Sequence, residues 1–122
     1  MAIPSGSGTE VLKVAYQSSM TNSDINLVTA GTHDIITVLS IIFCERDGNN
    51  EELIMYIDAA RNDIGGNSGQ NIYMMNRTKI SGRAVFAWND KFTIYGGDIL
   101  KASTQTGASI GVTVSYIVQD WS

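Results

Sequence analysis

Ile110-Gly111-Val112-Thr113-Val114-Ser115-Tyr116-Ile117-Val118-Gln119 is the stretch that decides the fold class. Ile110, Val112, Val114, Tyr116 and Val118 fall on one side of an extended chain, and Gly111, Thr113, Ser115, Ile117 and Gln119 on the other. That two-residue period is the mark of a half-buried strand. A one-sided strand has to bury its apolar face against another layer, so the rest of the chain must supply more strands.

The segments upstream supply them. Thr9 to Tyr16 alternates with Leu12, Val14 and Tyr16 on one side and Thr9, Val11, Lys13 and Ala15 on the other, which predicts a first strand. Polar residues from Gln17 to Asp24 lead into Ile25 to Ala30, and Gly31-Thr32 makes a turn before the long run His33 to Glu45. That run is apolar on both sides, with Ile36, Val38, Ile42 and Cys44 on one and Ile35, Leu39, Ile41 and Phe43 on the other. It reads as a strand covered on both faces, central in a sandwich or at a subunit contact. Cys44 closes the apolar stretch and reads as a small buried hydrophobe.

Arg46-Asp47-Gly48-Asn49-Asn50 is rich in residues that accept tight turns and predicts hairpin pairing of its flanks. Between Glu51 and Arg61 two signals compete. Glu51-Glu52-Leu53 and Ala59-Ala60-Arg61 favour a helix, whereas Leu53, Met55 and Ile57 alternate with Ile54 and Tyr56. The turn before the segment favours the strand. Asn62 to Gln70, with Gly65, Gly66 and Gly69, reads as a loop, and Ile72 to Met75 as a short apolar segment. Ala84, Phe86 and Trp88 then share one face, Asn89-Asp90 predicts a hairpin into Lys91 to Tyr95, and Gly96-Gly97-Asp98 and Gln105-Thr106-Gly107 flank Ile99 to Ser103.

Short strands separated by turns, with no convincing helix, point to an all-β, single-domain β-sandwich, jelly-roll-like or immunoglobulin-like, over residues 9–122. Ahead of it, Met1-Ala2-Ile3-Pro4-Ser5-Gly6-Ser7-Gly8 reads as an extended N-terminal arm, residues 1–8, that orders on a partner. A length of 122 residues fits one domain, and 43% apolar residues are enough for a core.

Charge and composition narrow the function classes. Net charge is −4 and the eight Lys and Arg residues are scattered singly, so no basic patch is present to bind nucleic acid directly. No apolar run approaches the roughly 20 residues of a membrane span, and the reading expects no membrane partner and no export signal. A single cysteine excludes an internal disulfide and a thiolate metal cluster, and suits folding in a reducing cytosol.

Catalytic chemistry finds no foothold. His33 is the only histidine, beside Asp34, and no glycine-flanked serine turn accompanies it, so it reads as a surface or edge residue. Asp47-Gly48-Asn49 and the segment from Asp58 to Asp63 lack the alternating oxygen series of a calcium loop. Gly65-Gly66-Asn67-Ser68-Gly69 lacks the Lys and Ser or Thr of a phosphate cradle. With twelve acidic residues, a carboxylate pair at glycosidase spacing has no specificity. The reading is a non-enzyme with no catalytic residue, cofactor or metal.

Three segments carry a family resemblance. They are the head Ile3-Pro4-Ser5-Gly6-Ser7-Gly8-Thr9-Glu10-Val11-Leu12-Lys13, the middle Ile35-Ile36-Thr37-Val38-Leu39-Ser40-Ile41-Ile42, and the end. The end holds Phe86-Ala87-Trp88-Asn89-Asp90-Lys91-Phe92, Gly97-Asp98-Ile99-Leu100-Lys101 and Val112-Thr113-Val114-Ser115-Tyr116-Ile117-Val118-Gln119-Asp120-Trp121-Ser122. Together they resemble small virion structural proteins of cyanophages and other marine bacteriophages, a group with capsid decoration (cement), neck and fibre roles.

The resemblance implies a bacteriophage capsid decoration protein that binds and stabilises the major capsid protein or other virion proteins. Its place would be the capsid exterior, after assembly in the host cytoplasm, and by analogy with threefold positions of a shell it would be a homotrimer, with 35–44 as a candidate seam. Ile3 and Pro4 of the arm, Trp121, Tyr95, and the adaptable Met74 and Met75 are the candidate protein-interface residues. Trp88 and Tyr116 lie on alternating apolar faces and read as core. The alternatives are a neck, tail or head-fibre component and, from another class, a carbohydrate-binding module for host attachment that stacks sugars on Trp88, Tyr95 or Trp121.

Overall fold

The computed structural model describes residues 9–59, 70–107 and 109–121. The arm at 1–8, with Ile3 and Pro4, and most of the glycine-rich loop lie outside the described residues. Among the described residues the elements are nine strands: β1 (Thr9–Met20), β2 (Ile25–Thr29), β3 (Asp34–Glu45), β4 (Glu51–Ala59), β5 (Gln70–Ile80), β6 (Val85–Trp88), β7 (Phe92–Tyr95), β8 (Ile99–Thr104) and β9 (Ile110–Asp120). The segment with competing signals is therefore strand through Ala59, as the alternation of Leu53, Met55 and Ile57 requires.

The expected all-β sandwich is the observed architecture. Every pairing is antiparallel, within one sheet ordered β1-β9-β3-β6, with β7 also on β3, and a second ordered β2-β8-β4-β5. That strand order is a jelly roll, which decides between the two sandwich types expected. The core between the sheets holds Met20, Ile36, Val38, Ile41, Phe43, Leu53, Met55, Ile94, Leu100, Ile110 and Val114, all fully buried.

Two hairpins read from the sequence are absent, for a common reason. Arg46 to Asn50 joins β3 to β4, which lie in opposite sheets, so this turn arches across the sandwich instead of pairing its flanks. Asn89-Asp90 separates β6 from β7, and both pair with the same strand: β6 with Ile41 to Cys44 and β7 with Ile35 to Val38. They are two parts of one interrupted strand, held at the break by the Trp88 indole N–H donating to the Asp90 carbonyl at 2.8 Å. Turn chemistry announces a reversal, but it does not say which sheet receives the next strand.

A β-bulge explains the doubly apolar run in β3. The register against β9 slips between Val38 and Ser40, which leaves Leu39 as an extra residue. Ile36 and Val38 face inward before it, and Ile41, Phe43 and Glu45 after it. One buried face thus drew on both alternation sets. Cys44, expected inside, falls on the outer face and is half-buried. β3 is flanked on both sides by strands, so its backbone is closed to a subunit seam.

Glu45 is an acid in the core end, 1% exposed. Its Oε1 accepts backbone N–H groups from Asp47 (3.0 Å), Gly48 (2.7 Å), Asn49 (3.2 Å) and Arg83 (3.1 Å). One carboxylate therefore ties the β3–β4 arch to the β5–β6 turn, where Gly82 packs so closely on Gly48 that a Cβ would come within 2.3 Å of backbone. Glu51 repeats the device, accepting from the Thr106 N–H (3.2 Å) and hydroxyl (2.5 Å) at the β8–β9 turn. Charged acceptors of backbone N–H groups are roughly twice as strong as neutral ones, and removing them strands several donors. Glu45→Ala should lower unfolding free energy by about 3 kcal/mol, with Glu45→Gln costing less, as read by urea denaturation.

Candidate interaction surface

Residues directly opposite in an antiparallel pair share a face, so the registers sort every strand position. On the outer face of the five-stranded sheet lie Glu10, Leu12, Val14 and Tyr16 of β1, matched by Gln119, Ile117, Ser115 and Thr113 of β9. Ile35, Thr37, Ser40, Ile42 and Cys44 of β3 continue these rows, ending in Val85 and Ala87 of β6 and Thr93 and Tyr95 of β7. Glu10 is the one charged residue among these positions.

Much of the apolar part is open. Exposure reaches 66% for Leu12, 75% for Tyr16, 44% for Ile42 and 62% for Val85. Tyr16, Ile42, Cys44, Thr113 and the exposed Arg46 line a shallow depression over Gly111, whose missing side chain leaves the floor low. A Cβ at Gly111 would sit 3.3 Å from the Ser18 carbonyl, where β1 bulges between Gln17 and Met20. The side of β1 that carries its larger apolar residues therefore faces away from the core.

The outer face of the other sheet exposes Tyr73 (53%) but is dominated by paired polar groups. Lys101 pairs with Asp58 at 3.2 Å, Arg77 with Glu52 at 2.6 Å, and the Tyr56 hydroxyl donates to Asp24 at 2.5 Å while its ring packs on Tyr73. Arg77 is the extra residue of a bulge in β5, with a positive φ of 65° that aims it at Glu52. Its cleft, about 400 Å³ and shared with Asn50, Lys79, Ser81 and Gln105, thus holds a cation already neutralised. Hydrophilic pairs of this kind belong to a solvated face.

The candidate residues separate. Met75 is buried in the core, and Met74, the extra residue of a second β5 bulge, packs half-buried against it. Trp88 and Tyr116 also pack on the core, as their alternation implied, and Trp88 meets Phe92 edge-on. Tyr95 and Trp121 are half-buried at one end of the five-stranded sheet, where the Trp121 N–H donates to the His33 carbonyl at 3.0 Å. Thr9, the first described residue, pairs with Asp120 at that same end. His33 is exposed in the β2–β3 turn, and its neighbour Asp34 accepts the Gly31 N–H at 3.0 Å.

Sequence reading missed Leu12, Val14, Tyr16, Ile42 and Val85 as surface residues. Alternation placed Leu12, Val14 and Tyr16 on one side of a strand without saying which side meets the core, and the signal available was that β1 is apolar at Val11 as well as at Leu12, on both parities. Among the described residues no grouping of His, Cys, Asp and Glu could hold a metal ion.

No family model and no curated protein matches the chain. Solved structures share its fold. A subunit of the Bacillus endospore appendages, described as disulfide-linked pili, aligns with 100% of this chain and 97% of its own at TM-score 0.53 and 13% identity. Capsid protein VP2 of infectious bursal disease virus aligns with 91% of this chain at TM-score 0.54 and 14% identity, over 33% of the viral chain. The infectious bursal disease virus T13 particle gives 12% identity at TM-score 0.54 over 31% of its chain. At these identities the likeness is one of fold, and the chain spans about a third of the viral proteins it matches.

The Tyr56–Asp24 bond has a measurable consequence. It raises the phenol from 10.0 to about 12, with burial adding to the effect. The folded state then holds this proton more tightly than the unfolded chain, so the contribution is complete below about pH 10 and is lost as pH rises to about 12. Tyr56→Phe should cost about 1 kcal/mol at neutral pH, and its gap to the parent protein should close across that window in urea titrations.

Proposed function

We propose that this protein is a non-enzymatic structural component of a bacteriophage virion, a capsid decoration (cement) protein that binds and stabilises the shell of the major capsid protein. The observation that carries the reading is the outer face of the five-stranded sheet, where exposed Leu12, Val14, Tyr16, Ile42 and Val85 stand among small polar residues with charge only at Glu10 and Arg46, while the opposite face is laced with ion pairs. Large apolar side chains exposed together on one face mark a binding site. A cement protein acts through such area, because anything that binds the assembled state stabilises it.

The fold likeness to a viral capsid protein supports this role, as do the sequence segments that resemble marine phage virion proteins. Ile3 and Pro4 belong to the proposal as contacts of the arm, with Tyr95 and Trp121 at the sheet end beside Thr9, where that arm would join. A second reading, a head-fibre, neck or tail component, is favoured by the whole-length likeness to a pilus subunit. A sugar-binding module is less well supported, since Trp88 is engaged in packing and Tyr95 and Trp121 are half-buried.

Purified protein should bind tailless capsids of its own phage at hundreds of copies per particle, on the order of the subunit count of an icosahedral shell. Removing residues 1–8 should weaken that binding. Ile42→Glu with Val85→Glu should weaken it at least about tenfold, since charges on a desolvated face cost binding, while leaving thermal stability little changed. A handful of copies per particle would move the protein to the neck, tail or fibre.

A further inference from the structure

We infer that β1 is a self-pairing edge: two copies of this chain join through antiparallel β1–β1 contact, extending the five-stranded sheet of one into that of the other. Among the described residues β1 pairs with β9 alone, so its other side presents unpaired backbone along a strand of twelve residues. Natural edge strands are guarded by proline, bulges, shortness or inward charge. From Thr9 to Gln17 β1 carries no proline and keeps an unbroken register with β9; Lys13 is its one inward-side charge, and the strand is exposed on both faces, with Val11 at 48% and Val14 at 45%.

The strand is complementary to itself in one register. A two-fold axis through Val14, perpendicular to the sheet, sets Val14 against Val14 and Leu12 against Tyr16 on the outer face. On the inner face the same axis sets Lys13 against Ala15 and Val11 against Gln17. Both charges of this segment then escape like-charged partners. Moving the axis to Lys13 would oppose two lysines, moving it to Leu12 would carry Tyr16 past the start of the strand, and moving it to Ala15 would set Leu12 against Ser18, in the bulge between Gln17 and Met20.

Val11, Leu12, Val14 and Tyr16 of each copy and the backbone between them would bury on the order of 1,000 Å² in total, the lower bound of a specific interface, so the dimer is to be sought at roughly 1–100 μM protein. The axis keeps both outer sheet faces on one side. Pairing therefore doubles the apolar face without covering Ile42 or Val85, and it stands apart from the virion assignment, because a dimer can form with no capsid present.

Sedimentation equilibrium of the full-length chain tests the pairing. The parent protein should dimerise reversibly. Val14→Lys and Val14→Glu should each be monomeric, with circular dichroism and thermal unfolding close to the parent's, because Val14 is exposed. An equimolar mixture of the two variants should recover the dimer, since residue 14 faces its own copy. Val85→Lys, on the same face but far from the edge, should leave dimerisation within about twofold of the parent. A parent protein monomeric throughout this range, a dimer that survives both Val14 variants, or a mixture that fails to reassociate would each overturn the inference.

Discussion

The extra residue at Leu39 governs more of this molecule than any other single feature. By slipping the register of β3 against β9, it turns Ile41, Phe43 and Glu45 inward. Only with Glu45 inside can one carboxylate oxygen collect four N–H groups from two turns and lock one end of the sandwich. The interruption between β6 and β7 sits opposite that bulge, so the partner strand breaks where β3 gains its residue. In a jelly roll most consecutive strands lie in opposite sheets, and hairpin ladders cannot satisfy the connections. Buried acids at strand ends, Glu45 and Glu51, take over that work.

This arrangement leaves the two outer faces free to differ. One carries Lys101–Asp58, Arg77–Glu52 and Tyr56–Asp24, whose partners are satisfied within the chain. The other offers Leu12, Val14, Tyr16, Ile42 and Val85 with no internal partner for their apolar surface. The edge of β1 lies along the same face, so backbone pairing and apolar contact would extend one surface in one plane.

Alternation of Ile110 to Gln119, and of Leu53 to Ile57, sufficed to establish an all-β sandwich, because a period of two residues is a local property of the extended chain. Ala84, Phe86 and Trp88 were likewise legible as a core-facing set. Turn positions at Gly48, Gly96 and Gly107 were readable from glycine and its polar neighbours, since the φ values that turns require are also local.

Which sheet each strand entered was decided only by tertiary structure, because the same turn residues serve a hairpin and an arch. The inward phase of β3 depended on the bulge, which no residue type announces, and Cys44 changed faces with it. Exposure of β1 is non-local as well: Leu12, Val14 and Tyr16 remain outside because the register with β9 turns them away from the second sheet, and Val11 on the other side is exposed because β1 lies at the rim. Amino-acid sequence thus determined what the chain builds, while packing decided which of its apolar surfaces were left for a partner.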